Sequence, residues 1–229
     1  MSEDPGFGPG RELPDLPPPL PPLSRPGLPW EREGPALQRF IDTLKLVLTD
    51  PTKGFSDMKR EGGLGPPLIY GVIGAFSGLL VSVIYQLFLS GVGLGFPGGL
   101  GGSAFESTSS LIFIPLVVIC GLFLASGIYH LMLMLLNAAK FPYETTFRVV
   151  AFSVGSTSPL GIIPVCGGFI GAIWGIVVTI IGLAQAQETT TGKSALAVLV
   201  PAVLCCGIGM LFWGALIAFI IGASALGNR

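Results

Sequence analysis

The sequence predicts an all-α integral membrane protein. It reads as a five-transmembrane-helix bundle with a short amphipathic pre-membrane helix and a disordered proline-rich N-terminal tail. Three observations carry that reading. The 229 residues are 51% hydrophobic and only 11% charged, with a mean hydropathy of +0.77, whereas a soluble domain carries about 25% charged residues. The charges are also segregated: eight of the twelve Lys and Arg, and ten of the thirteen acids, precede Leu64. Finally, the uncharged stretch from Val149 to Leu183 is broken at its midpoint by Pro159, Gly161 and Pro164. As one straight helix it would run about 50 Å, well past a hydrocarbon core of about 30 Å. Proline also deletes a helical hydrogen bond and clashes with the preceding turn. A helical hairpin results, with Lys140, Glu144 and Arg148 before it and Glu188 and Lys193 after it. Both of its ends therefore face water on one side.

In chain order, residues 1–35 form the tail, densest in proline over Leu13–Pro22. Proline excludes helix and sheet, so the tail is extended or disordered. Its PxxP steps could be a ligand for an aromatic-lined groove on a partner, but PxxP arises freely in any proline-rich stretch, so a solvated spacer is the expectation. Residues 36–61 hold an amphipathic helix and linker. Leu37, Phe40, Ile41, Leu44 and Leu48 recur at helical spacing, with Gln38, Arg39, Asp42 and Lys45 on the other side and Pro51 as the stop. This helix is too short and charged to span, so it is expected in the membrane interface or packed on the bundle. Lys53, Lys59 and Arg60 are placed to meet anionic headgroups. Residues 62–222 form the membrane domain, with spans over about 68–90, 111–137, 142–163, 164–183 and 195–221. The hinge Gly62–Pro67 precedes the first span, and two prolines in a first helical turn cost no hydrogen bond.

Small residues recur at GxxxG spacing: Gly74 and Gly78 in the first span, Gly167, Gly171 and Gly175 in the fourth, and Gly214 in the last. Such faces let helix backbones approach closely, within the chain or in a homo-oligomer. Basic residues sit in the N-terminal segment, around Lys140 and Arg148, and at Lys193; the Gly91–Ser110 loop has none. Five crossings with a cytosolic N-terminus and a non-cytoplasmic C-terminus satisfy this pattern. No signal peptide is visible, so the first span is expected to act as an uncleaved insertion signal.

Catalytic chemistry is sparse. Cys120, Cys166, Cys205 and Cys206 show no metal-ligand spacing, and no cofactor or metal is expected. GVGLG in the loop and TTTGKS at Thr189–Ser194 lack the strand and full glycine pattern of a phosphate loop. His130 is the sole histidine and has no second ligand in its span, so a hydrogen bond to a neighbouring helix competes with a proton relay. Glu144 and Arg148 are placed to pair at i and i+4. The spans contain neither a carboxylate pair nor a Ser/His/Asp set, so an enzyme is not expected, and neither is a nucleic-acid partner.

Three pieces together resemble the Yip domain family, the Ypt-interacting proteins and their bacterial relatives. Phe40-Ile41-Asp42-Thr43 through Asp50-Pro51 and Phe55 resembles that family's pre-membrane helix with its L-x-x-P-x-x-x-F step. Tyr143 through Arg148-Val149-Val150-Ala151, followed by Pro159 and Pro164, is similar to its central Y-x-x-x-x-R-V-x-A segment. Ile173-Trp174, Ile181-Gly182-Leu183, Gly192-Lys193-Ser194-Ala195 and Val200-Pro201 resemble the close of the domain. The resemblance covers about Leu37 to Ile221 and implies five membrane helices and a cytosolic N-terminus. Its eukaryotic members bind Rab-type small GTPases and shape transport vesicles. Their D-L-x-G-P step stands here as Leu64-Gly65-Pro66 without the aspartate, so the bacterial-type members are closer and imply a bacterial cytoplasmic membrane. The expectation is a non-enzymatic membrane scaffold or membrane-organising protein. It would be embedded in the lipid bilayer and reach a cytosolic protein partner through the tail or the amphipathic helix. A channel or transporter for a small solute is the competing expectation.

Overall fold

The computed structural model describes residues 25–91, 104–163 and 166–227, and every regular element among them is helical. Residues 1–24, most of the glycine-rich loop and Pro164 lie outside the described residues. Seven α-helices follow in order: α1 (Ala36–Thr49), α2 (Pro51–Asp57), α3 (Gly65–Gly91), α4 (Ala104–Leu135), α5 (Tyr143–Thr157), α6 (Gly167–Ala186) and α7 (Thr191–Gly227). Short 3-10 turns occupy Pro29–Glu31 and Ser158–Ile162.

Local chemistry fixes the boundaries. Proline opens α1, and Asp50 separates α1 from α2, its carboxylate accepting the Lys53 amide at 3.0 Å as an N-cap. Pro66 and Pro67 lie in the first turn of α3. At the end of α4, Asn137 adopts a left-handed φ of 49°, and the Ala138 amide reaches back to the Leu133 carbonyl at 2.8 Å. Glu188 does the same after α6 with a φ of 48°, where the Thr189 amide bonds the Ala184 carbonyl. Both stops satisfy carbonyls that a helix end would otherwise orphan.

Four helices contain segments long and apolar enough to cross a membrane: Gly65–Tyr85, Pro115–Leu135, Gly167–Ala186 and Thr191–Gly214. Their outward residues are apolar, among them Ile84, Leu124, Phe169 and Met210, as lipid contact requires. The expected third span, 142–163, corresponds to α5 and the 3-10 turn that follows it, and it is not among the four. Its 15-residue helix carries Glu144 and Arg148 and is buried along nearly its whole length. It packs against α1, α3, α4 and α6, which makes it the axis of the bundle. The core runs along it through Phe147, Val149, Ala151 and Phe152.

Residues 25–35, expected to belong to a disordered tail, are instead folded onto the bundle. The Gly27 amide bonds the Asp57 carbonyl at 2.8 Å, and Leu28 is fully buried in the main apolar cluster. Phe55 and Met58 join the same cluster. Helices α1 and α2 and this leading segment together form a cap over one end of the bundle, with α2 seated on α6 and α1 on α5.

Candidate functional site: a cap clamped by a buried arginine

At the junction of cap and bundle lies Arg148, the largest fully buried side chain among the described residues and only 1% exposed. Its guanidinium forms an ion pair with Glu31 of the cap, a second with Glu144 one turn earlier at 3.2 Å, and donates to the Gly63 carbonyl at 2.8 Å. Glu31 is equally buried, and its other oxygen accepts the amides of Leu28 at 2.8 Å and Lys59 at 3.2 Å. Removing such charges from water costs several kcal/mol per ion, and only close pairing with further hydrogen bonds offsets it. Arginine suits the task because one planar fork serves several acceptors at once. Gly63 has a φ of +86°, which turns its amide to Glu144 at 2.7 Å while its carbonyl meets Arg148. A side chain at that φ would be strained.

An aromatic ladder extends the junction into the bundle. Arg39 lies over the Trp30 ring at 5.2 Å, and Trp30 donates its indole N–H to the Pro66 carbonyl at 2.8 Å. Trp30 and Phe40 both contact Tyr70, which meets the tilted Phe152 ring at 5.1 Å and hydrogen-bonds Ser156 at 2.8 Å.

The loops at the same end are tied to the cap. Arg60 pairs with Glu188, donates to the Ala186 carbonyl and covers the Phe141 ring at 3.6 Å, so it faces protein rather than headgroups. Arg25 approaches Glu188 at 3.5 Å. The hydrogen bond and charge of Arg60 hold the Glu188 carboxyl below its ordinary range. Burial lowers the Arg25 pKa, and the charge of Arg60 adds to the effect. Gln187 is fully buried, accepting the Lys140 and Phe141 amides and donating to the Phe141 carbonyl and Thr146 hydroxyl.

The other sequence-predicted residues fall in different places. His130 bonds the Thr146 hydroxyl through Nδ1 at 2.9 Å and meets the Tyr143 ring edge-on. In α3, Gly74 lies against the Gly155 backbone and Gly78 against Ser158, so this face packs on α5 and its 3-10 turn. Gly167, Gly171 and Gly175 face Leu160, Thr157 and neighbouring atoms of the same segment. Gly214 has no non-neighbour atom within 4 Å of an added Cβ among the described residues. The amphipathic helix divides its apolar residues. Phe40 turns to Trp30 and Tyr70, and Val47 is buried. Leu37 is 72% and Ile41 40% exposed, with Leu44 and Leu48 half-buried on the same helical stripe.

Sequence reasoning missed Glu31, Trp30 and Gln187. Trp30 was the available signal, a large aromatic which, with Leu28, stands inside a segment otherwise made of proline, glycine and charge. Among the described residues no group of His, Cys, Asp and Glu could hold a metal ion, and all four cysteines are exposed.

A family model described as the Yip1 domain matches residues 45–214, most of the chain, and the chain belongs to that family. No curated protein and no solved structure matches it.

Proposed function

We propose that this Yip1-domain membrane protein is a non-enzymatic scaffold: the bundle anchors it, and the cap with its preceding tail recruits a protein partner at the cytosolic face. One observation carries the reading. The buried Glu31–Arg148–Glu144 cluster fixes the cap on the bundle while the Leu37, Ile41, Leu44 and Leu48 stripe remains without a full protein cover. A clamped platform with an apolar stripe, fed by residues 1–24, fits recruitment.

The same reading takes α5 and its 3-10 turn as a fifth crossing. At ~1.5 Å and ~2.0 Å per residue the two extend about 32 Å, close to the hydrocarbon thickness. Lys140, Arg60, Glu188 and Lys193 gather at the cap end, which supports placing that end in the cytosol and the C-terminus opposite.

The competing reading, solute transport, would draw on His130, which bonds Thr146 and meets the Tyr143 ring. Proteoliposomes loaded with a panel of small ions and neutral solutes test this directly. Release should equal that of protein-free vesicles. Flux that survives loss of residues 1–24 and fails in His130→Ala would overturn the scaffold reading.

A further inference from the structure

Between α3, α4, α5, its 3-10 turn, α6 and α7 lies an open cavity of about 500 Å³. That volume is within the range of small-molecule sites, about 300–1,000 Å³. Among the described residues no charged or histidine side chain lines it. Four hydroxyl-bearing side chains do: Tyr129, and Thr157, Ser158 and Thr179, whose hydroxyls are each committed to their own helix. Thr157 donates to the Ser153 carbonyl at 2.8 Å, Ser158 to Val154 at 2.7 Å and Thr179 to Gly175 at 2.7 Å. Apart from the Tyr129 phenol, the wall is therefore apolar in effect. Glycines at 78, 167, 171 and 175 line it where helices pack closely, an added Cβ at each meeting Ser158, Leu160 or Thr157, whereas Gly168 has open space beside it.

The cavity is continuous with the lipid-contacting surface. On α6 its lining residues Gly168, Ala172 and Ile176 are themselves exposed, and they alternate with the outward Phe169 and Ile173. A membrane-embedded apolar hollow that opens sideways is bathed in hydrocarbon chains, and water gains too few polar partners there to stay. We infer that this cavity is a lipid site, which takes one acyl chain of a bilayer phospholipid between α3 and α6. The inference rests on membrane embedding and stands apart from the recruitment reading.

A phosphatidylethanolamine carrying a diazirine on its acyl chain, incorporated with the full-length protein into phospholipid vesicles, tests it. Photolysis followed by peptide mass spectrometry should concentrate adducts at Ala125, Ala172 and Ile176. Filling the hollow with Ala172→Phe should reduce those adducts at least fivefold, while Ile173→Phe on the outer face leaves them unchanged. Ile176→Trp, at the mouth, provides a second filling variant should the first fail to reach the membrane folded. Adducts spread evenly over the outer faces and insensitive to both fillings would overturn the site. So would photocrosslinks at those positions from residues 92–103 or a second copy of the chain.

Discussion

Replacing Arg148 by methionine would keep most of its volume and remove its charge. Glu31, with almost no solvent access, would lose its ion pair, and Glu144 and the Gly63 carbonyl would lose a donor. Breaking one side of a buried pair typically costs about 3–5 kcal/mol, because the remaining charge is left uncompensated. Only the cap needs to open to relieve it, since Glu31 lies on the leading segment and Arg148 on the bundle axis. The loss should therefore appear as local opening. Hydrogen exchange by mass spectrometry, in detergent or nanodiscs, reads it at the Leu28 and Lys59 amides, which Glu31 accepts. At about 1.4 kcal/mol per tenfold, exchange in peptides spanning 25–35 and 58–63 should accelerate by roughly a hundred- to a few-thousand-fold. Peptides of α3 and α6 should change far less. The double variant Arg148→Met/Glu31→Met should lose much less than the two single variants summed, since no charge is then left buried. Unchanged exchange in the cap, or simple additivity, would refute the clamp.

Two further outcomes follow from the same geometry. Gly74→Ala places a methyl on the Gly155 backbone and should cost about 1–3 kcal/mol, read as a lower detergent melting temperature, whereas Gly127→Ala, with no neighbour near its added methyl, should not lower it. Glu188 has its carboxyl pKa depressed by Arg60, so its contribution is present above the ordinary carboxylate range and lost as pH falls through the depressed value; a melting series of wild type against Glu188→Gln should show the difference vanish only at acid pH.

Much of the architecture was legible from hydropathy and proline placement. The break at Pro159 and Gly161, a helix starting at Ala36 and the i, i+4 pairing of Glu144 with Arg148 depend on local chemistry, and each has its counterpart in the structure. Harder to see were long-range contacts. Nothing in the spacing of a proline-rich segment says that Glu31 will meet a residue 117 positions later. The charge on Arg148 suggests snorkelling to water when read locally, yet two carboxylates and a carbonyl keep it buried. Phe40 illustrates the same limit. Its periodicity marks an apolar face but not which half of that face meets protein. Because Phe40 supports Trp30 and Tyr70, altering it would disturb the cap, and Leu37 and Ile41 are the residues that probe the outer stripe. A tail deletion that leaves the clamp intact must likewise stop before Arg25.

Recruitment through the cap and tail is the central claim, and quantitative affinity purification from native membranes tests it most directly. Wild type would be compared with a chain lacking residues 1–24 and with Leu37→Glu/Ile41→Glu, each checked for an unchanged melting temperature of the bundle. The account predicts that specific co-purifying protein falls at least several-fold in one or both variants while membrane insertion and melting hold. Equal recovery of the same partners from all three proteins would contradict it.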